Sequence, residues 1–215
     1  MRSNRIFNLY RILISSLGSQ HWWPADSPFE VIIGAILTQN TNWKNVEISI
    51  NNLKKANLLS PNSIFNCSIN DLKSYIKPSG FYRVKSDYLK YFVKEFIEHY
   101  DGDMSRLMEI ESSKLRNWLL SIKGIGEETA DSILLYALDR SIFVVDAYTK
   151  RIFLRHNLIN KDADYKEIQS LVEETLPNDP KILGEFHALL VKVGKNFCKK
   201  KNPLCRECPI FIFPT

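Results

Sequence analysis

The stretch LLSIKGIGEETADSILLYALDRSIFVVDAYTKRIF, residues 119–153, decides the fold. A helical segment runs out at Lys123 and the turn Gly124-Ile125-Gly126 follows. A second helix then opens through Glu127, Glu128 and Thr129, with apolar residues at helical spacing as far as Leu138. Glycine at both turn positions permits positive φ and leaves backbone N–H groups uncovered at the start of a helix. That geometry suits a phosphate; a tight helix–helix turn without a ligand is the plainer alternative. Further on, Asp146 stands just ahead of Ala147-Tyr148-Thr149, where a carboxylate satisfies the free N–H groups of a following helix.

Working outward, apolar residues recur at helical spacing over Phe29–Leu37, Val46–Leu53, Tyr88–Ile97, Leu115–Leu120, Val145–Leu154 and Ile182–Val193. No sustained alternation of period two interrupts them. Turn chemistry separates them at Ser60-Pro61-Asn62, Pro78-Ser79-Gly80, Asp101-Gly102 and Pro177-Asn178-Asp179-Pro180. The pattern predicts an all-α chain of about nine to eleven helices. There is no internal repeat and no low-complexity tract.

A chain of 215 residues buries a sizeable core and is long enough for two closely packed lobes. Its 29 basic residues against 24 acidic ones give a formal charge of +5, which favours an anionic partner without identifying one. The opening MRSNRIFNLYRILISSLGSQ mixes arginine and polar residues among its apolar ones. It has neither the apolar core of a signal peptide nor the length of a membrane span, so the expectation is a cytoplasmic protein with no membrane partner. Of four cysteines, Cys198, Cys205 and Cys208 crowd the end of the chain and Cys67 stands alone. Clustered thiols in a reducing compartment read as metal ligands rather than as a disulfide framework.

Four stretches in order carry a family resemblance: WWP at Trp22–Pro24, ILTQNTNW at Ile36–Trp43, KPSGFYRVKS at Lys77–Ser86 and KGIGEETADSILLYA at Lys123–Ala137. With the Val145-Asp146 pair after the hairpin, the chain resembles the endonuclease III (helix-hairpin-helix-GPD) superfamily of DNA glycosylases. Within it, the chain most resembles the bacterial endonuclease III-like 3-methyladenine DNA glycosylases. The resemblance implies two helical lobes, a central bundle over residues 26–140 and a second lobe from residues 1–25 with 141–215, with a cleft between them for the base. It implies a monomer acting on double-stranded DNA that contains a damaged base, associated with the nucleoid through that DNA.

The same resemblance assigns roles to residues. Asp146 becomes the catalytic carboxylate, which stabilises positive charge on the sugar as the base departs or takes a proton from the attacking water. The target atom is out of reach in a stacked duplex, so the nucleotide is flipped out; Gln39 and Asn40 resemble the residues that fill the gap, and as polar helix-end residues they have a plainer reading. Lys123, Gly124, Gly126 and Thr129 are the hairpin's DNA contacts, with Lys44 and Lys85 as further candidates for phosphate. Trp22, Trp23 and Trp43, edged by Pro24, offer flat faces to a cationic alkylated purine, while Trp118 reads as core. Strand-cutting relatives place a nucleophilic lysine where this chain has Glu128, and a carboxylate forms no Schiff base. The expectation is a monofunctional base-excision enzyme. Its rivals are a glycosylase/lyase for oxidised pyrimidines or mismatches, and a non-catalytic DNA-binding module.

The spacing Cys198-x6-Cys205-x2-Cys208 resembles the first three ligands of the superfamily's [4Fe–4S] loop, which implies an iron–sulfur cluster. Pro214 stands where the fourth cysteine belongs. A cluster with a non-cysteine fourth ligand, a three-iron form, zinc and a metal-free loop all remain open at this point.

Overall fold

The structure is a computed structural model that describes residues 2–211 and 213, with side chains from residue 5 onward. Among the described residues there are twelve α-helices, two short 3-10 turns and no strand. The periodic segments of the sequence correspond to seven of these helices; α1 (Arg2–Leu17), α4 (Pro61–Asn66), α5 (Ile69–Ile76), α7 (Met104–Glu109) and α11 (Tyr165–Glu173) are not among them, and α4 and α7 are too short to show a period. The chain divides into two compact units, Met1–Pro24 with Asp139–Thr215, and Ala25–Leu138. No described helix is long and apolar enough to cross a membrane.

The contiguous unit is built around α2 (Pro28–Thr38), buried along its whole length from Phe29 to Leu37. A helix apolar on every side has to be enclosed. It packs on α3 (Trp43–Lys55), α6 (Tyr82–Tyr100) and most extensively α9 (Glu127–Leu138). Ser27 starts α2 by accepting the Glu30 N–H, with Pro28 in the first turn, where a missing N–H costs nothing. Phe29, Phe92 and Phe96 stack in the core beneath it. The remaining helices of this unit are α5 (Ile69–Ile76) and α8 (Ser112–Ser121).

The other unit combines α1 (Arg2–Leu17), α10 (Ala147–Arg155), α11 (Tyr165–Glu173) and α12 (Pro180–Asn196). Ile6, Leu9 and Leu13 of α1 are fully buried, and the rings of Tyr10, Phe143 and Phe153 surround Phe186. Residues 139–146 are not helical and are clamped from α11. Glu173 accepts the Phe143 N–H at 2.7 Å, the Gln169 amide donates to Phe143 O at 2.7 Å, and the Tyr165 hydroxyl accepts the Val145 N–H. Helix α10 therefore starts at Ala147, two residues later than the periodicity suggests, because Asp146 is its cap.

Candidate functional site

The hairpin joins α8 to α9. Gly124 has φ 92°, and a Cβ there would lie 2.2 Å from the Tyr88 ring, so both backbone and packing demand glycine. Gly126 does not use the positive φ that glycine permits. Its φ is not positive and a Cβ would meet nothing within 4 Å. Its carbonyl accepts the Ala130 N–H, which makes it the residue from which α9 grows. The two arms are riveted by Arg116, which grips the fully buried Asp131 through Nε at 2.7 Å and Nη2 at 3.1 Å and reaches Glu127 at 3.5 Å.

Gln39 and Asn40, adjacent in sequence, sit differently. The Gln39 amide donates to Gly124 O at 2.8 Å and to Thr129 Oγ1 at 3.0 Å, tying the end of α2 to the hairpin. Thr129 is buried under that contact. Asn40 is exposed with φ 52°. Lys123 places its ammonium 5.0 Å from the centre of the Tyr91 ring, and Lys44 is exposed on α3.

Lys85 is not a phosphate contact. It is 2% exposed and its ammonium donates to Leu37 O and Ser79 O, both at 2.7 Å. It closes the C-terminal end of α2, where a positive charge meets the helix dipole. Burial pushes its pKa down to about 8. Sequence gives no warning of this, since the two carbonyls come from distant segments.

Asp146 lies at the start of α10 with its side chain nearly buried. Its Oδ1 accepts the Thr149 N–H at 2.7 Å, while Oδ2 lies 3.7 Å from Nε2 of His187 on α12. Burial works to raise the carboxyl pKa, but His187 and then Thr149 outweigh it, and the net direction is down. The cap and a charged carboxylate thus coexist in one side chain. Behind it, Gly194 of α12 lets the Tyr148 ring approach, since a Cβ there would be 2.3 Å from that ring.

Trp22 and Trp23 are half-buried with ring centres 5.1 Å apart, and Pro24 beside them is exposed. Trp43 is half-buried at the first turn of α3, in the other unit. Trp118 packs against Phe92 and edge-on against Tyr100, as a core residue does. Sequence reasoning gave Phe81 no role and considered His187 only as a zinc ligand. Phe81 is 67% exposed at φ 46°, an aromatic ring held outward on left-handed backbone just after Gly80. Its position beside a turn glycine was the available signal. His187 had none, being 41 residues from the carboxylate it faces (187 minus 146).

The cysteine segment is held by arginines of α10. Arg151 donates to Cys198 O and Gly194 O, and Arg155 to Cys198 Sγ at 3.2 Å and Lys199 O at 2.9 Å. Cys198 is buried, Cys208 half-buried and Cys205 exposed. Burial pushes the Cys208 thiol up, and charge on Cys198 or Cys205 would raise it further. Among the described residues no group of three or more His, Cys, Asp or Glu side chains is placed to hold a metal ion. Pro214 lies outside the described residues. So arranged, these three thiols do not fit a four-cysteine cluster.

Comparison with known proteins adds the following. Residues 33–178 match the HhH-GPD family model, described as HhH-GPD superfamily base excision DNA repair protein. A Methanocaldococcus jannaschii protein named as a candidate DNA repair glycosylase is 50% identical over 99% of this chain and 98% of its own length. Endonuclease III of Sulfolobus acidocaldarius is 30% identical over 85% of this chain and 79% of its own. Among solved structures, Helicobacter pylori 3-methyladenine DNA glycosylase bound to 1,N6-ethenoadenine superposes with a TM-score of 0.77 at 29% identity, covering 88% of this chain and 97% of that one. An endonuclease III–DNA complex gives 0.83 at 19% identity over 99% and 94%, a likeness of fold.

Proposed function

The chain belongs to the HhH-GPD superfamily of base excision DNA repair proteins and is a DNA glycosylase, and we propose that it excises alkylated purines such as 3-methyladenine by base flipping and hydrolysis without cutting the strand. The observation that carries this reading is Asp146, a nearly buried carboxylate kept charged against the cost of burial. As the glycosidic bond breaks, its electron pair leaves with the base and positive charge grows on the sugar. A fixed carboxylate in a water-poor setting stabilises that charge far more than one in bulk water. Water then adds to the sugar carbon and gives its proton to Oδ2, the oxygen not used in capping α10. A purine already cationic through alkylation departs neutral, so no acid is needed on the leaving side, and a single carboxylate suffices.

Substrate choice and strand integrity rest on separate residues. Trp22 and Trp23 offer faces to a cationic base, Trp43 of the other unit is a further aromatic of the same kind, and the relative from Helicobacter pylori, named as a 3-methyladenine glycosylase, supports that class. Glu128 supplies no amine for a Schiff base, which supports hydrolysis over lyase chemistry. The uncapped hairpin amides bind a phosphate, Asn40 enters the vacated stack, and the protein works as a monomer on duplex DNA. A duplex with one 3-methyladenine tests the reading. Excision should leave an intact abasic site that breaks only on heating in alkali, and borohydride should trap no adduct at the rate of base release. Trapping at that rate defeats the monofunctional assignment, and no release of any alkylated purine defeats the substrate class.

A further inference from the structure

Asp146 divides its two oxygens. Oδ1 is committed to the Thr149 N–H, and what faces Oδ2 is the imidazole of His187, buried on α12 with Nε2 at 3.7 Å. That separation exceeds a direct hydrogen bond, yet it is shorter than the span of about 5 Å that a bridging water requires. Nε2 and Oδ2 therefore face each other in near contact, beyond hydrogen-bond distance. The ring is set edge-on to Phe143, centres 6.3 Å apart at 85°, and Phe143 is itself pinned at N–H and carbonyl by Glu173 and Gln169. An imidazole wedged in this way has little room to turn from the carboxylate.

We propose that His187 is a positioning residue for Asp146: it holds Oδ2 in place for glycosidic cleavage, a role that rests on the glycosylase reading above. After the opposing effect of burial, His187 is the largest influence on the Asp146 carboxyl, ahead of the Thr149 N–H. Other titratable groups on the surrounding elements are Arg140 before α10, Tyr148, Lys150 and Arg151 on α10, Tyr165 and Glu173 on α11, and Glu185 and Lys192 on α12. Of these, Tyr148 lies within reach of the carboxylate, and burial and then the Asp146 charge raise its phenol pKa. Several are engaged elsewhere: Lys150 with Ala163 O, Arg151 with Cys198 O, Glu173 with the Phe143 N–H and Glu185 with Ser19. Without the imidazole, burial acts on the carboxyl with only the cap to oppose it.

The test uses His187→Gln, which keeps a donor but does not titrate in this range, and His187→Leu, which keeps neither. Single-turnover excision of 3-methyladenine is followed from about pH 3 to about pH 8, alongside binding to an abasic-site duplex. In His187→Leu the acid limb should move up by about one pH unit or more, with abasic-site binding within about threefold of the parent. His187→Gln should recover part of the rate at neutral pH. Carbon-13 NMR of the Asp146 carboxyl in the parent and His187→Gln proteins should show its titration midpoint rising in the variant. An unchanged midpoint overturns the proposal, as does equal loss of excision and abasic-site binding at every pH. If the parent excises no alkylated purine, the substrate reading fails, while the NMR titration still decides the hold of His187 on Asp146. Should His187→Leu not fold, the glutamine variant carries the comparison.

Discussion

Two helix starts, α9 after Gly126 and α10 after Asp146, pose the same problem of unpaired N–H groups and are closed in opposite ways. Asp146 turns a carboxylate oxygen back onto the Thr149 N–H and seals its own helix. Gly126 has no side chain with which to do so, and α9 opens toward whatever acceptor arrives. Self-capping fixes a carboxylate in space but uses up the local capacity for anions; leaving the cap off keeps that capacity at a small cost in stability. Each start is braced by a tyrosine ring against glycine, Tyr88 on Gly124 and Tyr148 on Gly194. Both regions are thus braced in the same way, and the identity of one capping residue separates a helix start that holds a carboxylate from one that has no side chain to offer.

Asp146→Asn should break the comparison most sharply. Asparagine caps as well as aspartate does, so thermal stability should change little, while excision falls by at least about a hundredfold and damaged-DNA binding persists. Near-normal excision would return Asp146 to the role of a cap. Next in size, Gly124→Ala should cost about 1–3 kcal/mol in urea unfolding, because the new methyl group meets Tyr88 on backbone that disfavours it. A stable variant would show that the hairpin shifts freely. Gly126→Asp converts the open start into the closed kind. There is room for the side chain, so stability should rise by a few tenths of a kcal/mol while affinity for undamaged duplex drops by about fivefold. Unchanged affinity would remove the hairpin amides from the phosphate contact.

The last effect concerns a helix end closed by a charge. Burial lowers the Lys85 pKa to about 8, so above that pH the folded protein releases a proton that the unfolded chain holds to about 10.5. The unfolded state then binds more protons, and stability rises with pH across that window. Below it the folded state bears the full cost of burying the ammonium. Urea unfolding at about pH 7.5 and 9.5 should show this gain in the parent and lose it in Lys85→Met; equal slopes would mean that Lys85 is solvated.

The fold was legible because α2, α6, α9 and α12 are long and carry apolar residues that recur with a helical period, and the cap at Asp146 was legible because capping is local. What escaped the sequence is long-range. The Lys85 ammonium is taken up by Leu37, 48 residues away, the Gln39 amide by Gly124, 85 residues away, and His187 meets Asp146 across two helices. None of these partners leaves a spacing signature. Residue type alone permits positive φ at both turn glycines, and of the two only Gly124 adopts it.

The unit that holds Asp146 is stitched from both ends of the sequence, and Ser19 on the near side bonds Glu185 across 166 residues. The hairpin unit is one unbroken run. Closing a long loop carries an entropic cost that local contacts avoid, so during synthesis the hairpin unit is able to condense while the partners of α1 are still being made. The carboxylate would then be among the last features to assemble. Pulse-labelled hydrogen exchange during refolding should protect α2 and α9 before α1 and α12; simultaneous protection would argue against that order.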